Sequence, residues 1–159
     1  MQEVERSRKP EPRAGVRGTL LHISKSSTYR YAALWWLIGW AMVVAVTGLS
    51  LMPDPPEPVE FGHADKLGHL LAYGVMMGWF TQLVGRERQV RWAAGLVGLG
   101  VGLEFVQGWS GYRMFDVLDM VANASGVLLG CWLARGRLGG SLARLDRWLV
   151  AWAGSGPRA

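Results

Sequence analysis

Between Tyr31 and Met52 the chain runs for 22 residues without a single Asp, Glu, Lys or Arg, and then meets Pro53, Pro55, Pro56 and Pro58. A helix of that length, rising about 1.5 Å per residue, spans a hydrocarbon layer of about 30 Å. The prolines cannot continue it, because they lack an N–H and clash with the preceding turn. A helix on a soluble core would present a polar residue every third or fourth position to keep one face wet. This run has no such stripe, so the solvent it faces is lipid. No small-x-small cleavage site follows it before Pro53, and it is read as an uncleaved anchor.

Three further apolar runs follow, at about 67–85, 92–109 and 117–134, each close to the minimum spanning length. Half of all residues are apolar and only 18% are charged. The expected fold is an all-α membrane protein, a four-transmembrane-helix bundle with a C-terminal interfacial amphipathic helix. Its parts are a basic cytoplasmic tail (1–30), a membrane domain (31–136, with spans at about 31–52, 67–85, 92–109 and 117–134) and a cytoplasmic segment (137–159). In that last segment Leu142, Leu145, Trp148, Leu149 and Trp152 fall together on a helix, with Arg144 and Arg147 able to reach water or phosphate. Cys131 is the only cysteine, so no internal disulfide can form.

The basic residues fix the expected orientation. Of seventeen Lys and Arg, seven lie in the first thirty residues, three between Arg86 and Arg91, and five after Ala134. Only Lys66 and Arg113 fall on the other side. Basic residues accumulate in cytoplasmic connections, which puts both termini inside and the connections Pro53–Lys66 and Ser110–Asp116 outside. The net charge of +5 is then topological and needs no nucleic-acid partner. Trp35, Trp36, Trp79, Trp92, Trp109 and Trp132 lie toward span ends and are expected to be interfacial anchors.

On this topology the unusual polar residues gather at one end. Asp65, His69 and Tyr73 stand at i, i+4 intervals on the second span, with Lys66 beside them. Glu104 and Gln107 lie on the third span, Glu104 about 7 to 8 Å inside Trp109 by helical rise. Asp116, Asp119 and Asn123 open the fourth, and Gly126 and Gly130 continue their face as a packing seam. Gly95, Gly98, Gly100 and Gly102 are expected to act similarly on the third. With Arg113, ten residues converge at headgroup depth: Asp65, Lys66, His69, Tyr73, Glu104, Gln107, Arg113, Asp116, Asp119 and Asn123.

Structural hydrogen bonds can glue transmembrane helices, yet glue has no reason to collect four acids, two bases and a histidine at one depth. These residues are therefore read as a ligand-binding site. Lys66 and Arg113 suit phosphate, which makes membrane lipid the expected partner. The catalytic alternative takes His69, Glu104 and Asp119 as acid, base and orienting group for hydrolysis or transfer at a lipid headgroup. No organic cofactor is expected; a divalent cation on Asp65, His69, Glu104 and Asp119 is the one inorganic option. An ion conduit is disfavoured, since the inner halves of the spans carry no ionisable residue.

The set Asp65-Lys66-x-x-His69-x-x-x-Tyr73, Glu104-x-x-Gln107 and Arg113-x-x-Asp116-x-x-Asp119-x-x-x-Asn123-x-x-Gly126-x-x-x-Gly130, spread in order between Tyr31 and Ala134, resembles the VanZ-like family. That family is named for a protein associated with resistance to the glycopeptide teicoplanin. The resemblance implies a multi-pass protein of the bacterial plasma membrane, placed where lipid-linked cell-wall precursors are displayed.

Overall fold

The computed structural model describes residues 29–52, 64–111 and 115–155. Five helices and no strand occur among them: α1 (Ala32–Ser50), α2 (Ala64–Leu83), α3 (Arg86–Ser110), α4 (Val117–Arg135) and α5 (Ser141–Gly154). α1 and α4 are long and apolar enough to cross a membrane. α2 and α3 fall short on hydropathy because one carries Asp65, Lys66 and His69, and the other carries Glu104 and Gln107 within its apolar stretch. The stretch Arg86–Arg91, expected as a connection, is the start of α3. Only Val84 and Gly85 separate it from α2, with Gly85 extended as its N-cap.

The closest helix pair is α2 with α4, and glycine is the reason. Gly74 and Gly78 of α2 face Gly126 and Gly130 of α4, and a Cβ built on Gly74 would stand 3.3 Å from the Gly126 carbonyl oxygen. In the other direction there is no room at all. A Cβ on Gly126 would strike the Leu70 carbonyl oxygen, and one on Gly130 that of Gly74. Backbone meets backbone, as at small-residue interfaces in membranes. The α3 glycines behave differently from expectation. Gly95, Gly98 and Gly102 have nothing nearby, and of these four only Gly100 is packed, against the Asn123 side chain.

The core is built on α2, whose Tyr73, Met76, Met77, Phe80 and Leu83 are buried with Trp35, Leu96, Val127 and Leu142 from the other helices. Trp35, Trp36, Trp79 and Trp92 also belong to this packing, a role beyond the interfacial anchoring expected of them. Trp92 stacks on Phe80 at 4.3 Å, Trp36 lies 5.5 Å from Trp92, and the Trp79 indole N–H donates to the Trp35 carbonyl at 2.9 Å. The Trp35 and Trp79 indoles give their N–H groups to protein acceptors and so have no need of the headgroup layer, while Trp36 and Trp92 are half-buried against Phe80 and each other. Trp109 and Trp132 do remain exposed.

α5 folds back onto the bundle. Asp146, 4% exposed, accepts from the Trp35 indole (2.7 Å) and from the backbone N–H groups of Arg30 (2.9 Å) and Tyr31 (3.1 Å). Burial alone pushes its carboxyl upward, but these donors outweigh burial and hold it below the usual carboxylate range. Gly140, in the left-handed region at φ 74°, turns the chain into α5, and the Gln82 side chain receives the Ser141 hydroxyl and the Leu142 N–H. At 100° per residue, Leu142, Asp146 and Leu149 then face the bundle, Leu145, Trp148 and Trp152 form an outward apolar stripe, and Arg144 and Arg147 a basic one. The single apolar face expected for this helix is thus two faces.

Gly130→Ala should lower the melting temperature of the purified protein, at a cost of about 1–3 kcal/mol for overpacking. Gly98→Ala, with open space around it, should be neutral or slightly stabilising because alanine is the better helix former. Equal melting temperatures for the two variants would contradict the packing described.

Candidate functional site

The first two turns of α2 lie beside the start of α4 because the glycine seam draws the two backbones together below them. Asp116 closes the N-terminus of α4, its carboxylate accepting from the Leu118 N–H at 2.8 Å. The same carboxylate accepts from the Lys66 ammonium at 2.6 Å, and Asp119 accepts from it at 3.1 Å. The Lys66 hydrogen bond and then the Leu118 amide hold the Asp116 carboxyl below its ordinary range. One turn deeper, His69 stands between the helices, its Nδ1 at 3.1 Å from the Asn123 side-chain oxygen. Its Nε2 faces two carboxylates, Asp65 at 3.5 Å and Asp119 at 3.8 Å.

That arrangement assigns the imidazole a role. With the Asn123 oxygen as acceptor, Nδ1 carries the hydrogen, and a neutral ring then directs the Nε2 lone pair toward Asp65 and Asp119. Three electron-rich groups facing one another require a proton or a cation between them. The ligating atoms of Asp65, His69 and Asp119 all lie within 4.8 Å of one another, a spacing that can hold a metal ion. A histidine whose other N–H is fixed by a carbonyl oxygen is the usual posture of a metal ligand.

The remaining residues surround this centre. Glu104 is 2% exposed, and its carboxylate accepts from the Asp116 backbone N–H at 3.3 Å, tying α3 to the head of α4. Asn123 packs on Gly100 and has a buried side-chain N–H group without a partner among the described residues, as has the Tyr73 hydroxyl. Gln107 is buried but turns elsewhere, donating to the Ser50 carbonyl at 2.6 Å and so pinning the end of α1. Arg113 lies outside the described residues. Among the described residues, Lys66 bridges two of the carboxylates, Asp116 and Asp119.

The structure thus brings Asp65, Lys66, His69, Asp116, Asp119 and Asn123 into direct contact, with Glu104 at their edge. Ser50 was not singled out from the sequence. It contributes only a backbone oxygen, which leaves no chemical signal in a string of letters.

The sequence profile of the VanZ/LLP1 family matches residues 9–139, most of the chain. The chain belongs to the VanZ/LLP1 family. Consistent with a membrane-associated family, two of its helices have the length and apolarity of spans. Among curated proteins, this VanZ/LLP1 chain is similar to an uncharacterized protein of Schizosaccharomyces pombe, 35% identical over 91 residues. The aligned part covers 54% of this chain and 51% of that relative, so the chain spans about half the relative's length. No solved structure matches it significantly.

Lys66→Met should lower the melting temperature of the purified protein, because it removes the ammonium that Asp116 and Asp119 share. Its pH dependence should also weaken. In the parent, the depressed Asp116 contributes stability above its unfolded pKa, and that stability is lost as pH falls through the lower folded value. Without the ammonium, Asp116 loses the larger of the hydrogen bonds that depress it, so the melting temperature of the variant should fall less on acidification than that of the parent. Parallel pH profiles for the two proteins would contradict the pairing.

Proposed function

We propose that this VanZ/LLP1 protein crosses the membrane four times, with both termini cytoplasmic, and uses the Asp65–His69–Asp119 centre at the outer face to hold a divalent cation that binds the phosphate of a lipid headgroup. Exposed apolar stripes support insertion of all four helices: Leu34, Leu37 and Val44 on α1, Leu67, Leu71 and Val75 on α2, Phe105 and Val106 on α3, and Val121 and Leu128 on α4. Contiguous apolar surface on every helix of a bundle fits lipid and does not fit water. The distribution of Lys and Arg supports the orientation.

The observation that carries the functional reading is His69 Nε2 facing two carboxylates. The carboxylates facing His69 would repel a bare phosphate, and Lys66 is already held by Asp116 and Asp119. A cation resolves the conflict, because it is attracted by the carboxylates and bridges them to a headgroup oxygen. One nitrogen and two carboxylate oxygens suit manganese or zinc.

The ligand reading is a phosphate-bearing lipid. A relative in a eukaryote favours an anionic phospholipid common to many membranes over a bacterial cell-wall precursor. A lipid-linked precursor would place the protein in envelope maintenance and glycopeptide resistance. The catalytic alternative keeps the same residues, with His69 moving a proton and Asp119 orienting it for headgroup hydrolysis or transfer.

The test is manganese binding followed by electron paramagnetic resonance in nanodiscs of phosphatidylglycerol. The parent should bind manganese, His69→Ala and Asp119→Asn should not, and Asn123→Ala should weaken binding by about 10–100-fold by freeing the imidazole. Retention of phosphatidylglycerol should fall when the metal is chelated, and release of a headgroup product would favour the catalytic alternative. Equal manganese binding by the parent and His69→Ala would overturn the reading.

A further inference from the structure

At the opposite end of the bundle lies a second polar feature that the outer centre does not use. A cavity of about 250 Å³ opens where α2, α3 and α4 meet the start of α5. Its wall includes Thr81, Gln89, Arg86, Arg135, Gly140 and Ala143. No carboxylate lines it, and among the described residues neither Arg86 nor Arg135 has an acidic partner.

Several donors around the cavity lack an acceptor among the described residues. Arg135 gives its Nε–H to the Gln89 side-chain oxygen at 2.8 Å, which orients the guanidinium and leaves its terminal N–H groups without an acceptor among the described residues. Gln89 is itself 1% exposed and anchored by donation to the Thr81 carbonyl at 3.1 Å, so the orientation rests on a buried support. Thr81 is 2% exposed, and its hydroxyl has no hydrogen-bond partner among the described residues. In the first turn of α5 the Ser141 and Leu142 amides are satisfied by Leu138 and Gln82, whereas the Ala143 amide has no acceptor among the described residues. A fourteen-residue helix also presents the positive end of its dipole here.

Two guanidinium groups without acids, a buried hydroxyl without a partner and an open helix N-terminus share one deficiency, an anion. We infer that the cavity bounded by Arg86, Arg135, Thr81 and the first turn of α5 is a binding site for a phosphate group. The guanidinium of Arg135 supplies the directed N–H pair, Arg86 the second charge at the mouth, and Ala143 and Thr81 the uncharged contacts. Either a free phosphate compound or an anionic lipid headgroup offers this chemistry. The outward apolar stripe of α5, Leu145, Trp148 and Trp152, runs onward from the same turn and would meet acyl chains beside a headgroup. The inference is independent of the outer centre, since it uses none of its residues.

Thermal stabilisation of the full chain in neutral detergent tests it, with inorganic phosphate and short-chain phosphatidylglycerol as separate probes and short-chain phosphatidylcholine as the control. At least one phosphate probe should raise the melting temperature of the parent in a saturable way. Arg86→Gln, an exposed change that leaves the fold intact, should weaken the apparent affinity by about tenfold, and Thr81→Val by a smaller factor. Outer-centre variants such as Asp119→Asn should keep the effect. A response to inorganic phosphate identifies a free anion as sufficient, and a response to phosphatidylglycerol alone identifies the lipid. No response to either probe, a response equal to that of phosphatidylcholine, or full affinity in Arg86→Gln would overturn the inference.

Discussion

Everything at the two ends of this protein depends on how closely α2 and α4 approach in the middle. Gly74 and Gly78 lie against Gly126 and Gly130 with peptide groups in contact, and no side chain intervenes. In lipid, hydrophobic burial offers little to bring helices together, so close van der Waals contact between smooth surfaces must do it. That contact sets the distance between the helices, and the distance decides which polar side chains can meet. A gap wider by one methyl group would separate Lys66 from Asp119 and His69 from Asn123.

From that seam the polar groups divide into two networks. On one side Asp65, Lys66, His69, Asp116 and Asp119 meet in a centre with a spacing that can hold a cation. On the other, guanidinium and amide donors meet around a cavity that asks for an anion, while Asp146 and Gln82 clamp α5 beside it. Buried polar groups are costly unless paired, and most here are paired. The exceptions, the hydroxyls of Tyr73 and Thr81 and the side-chain N–H of Asn123, lie in or beside these two networks. A protein that spent its polar residues only on helix association would place them where partners are available.

The helices were legible in the sequence because hydropathy is a local property. The uncharged run of α1 and the i, i+4 ladder of Asp65, His69 and Tyr73 need no knowledge of any neighbour, and the positions of Asp116, Asp119 and Asn123 on α4 follow from spacing alone. The partners were harder to read. Gly126 and Gly130 announced a seam, but the facing glycines of α2 were invisible until the two helices were set side by side, and those of α3 resembled a seam while facing open space. Gln107 looked like a member of the polar centre, yet a hydrogen bond to Ser50 takes it to α1. The tryptophans near span ends were assigned to the interface because position along a helix is readable and rotation about it is not. Asp146 left one trace, a lone acid among the apolar residues of a basic helix.

The central claim is that Asp65 and Asp119 share one centre at the outer surface of a membrane. Cys131 is the only thiol, so a Cys131→Ser background carrying Asp65→Cys and Asp119→Cys isolates the pair. A short membrane-impermeant bis-thiosulfonate, applied to the outside of intact cells and followed by proteolysis between α2 and α4, reads both proximity and sidedness. The account predicts a fragment pair held together after treatment from outside, and lost when Gly130→Leu forces the helices apart. No cross-link from either side, or one formed only in inverted vesicles, would contradict it.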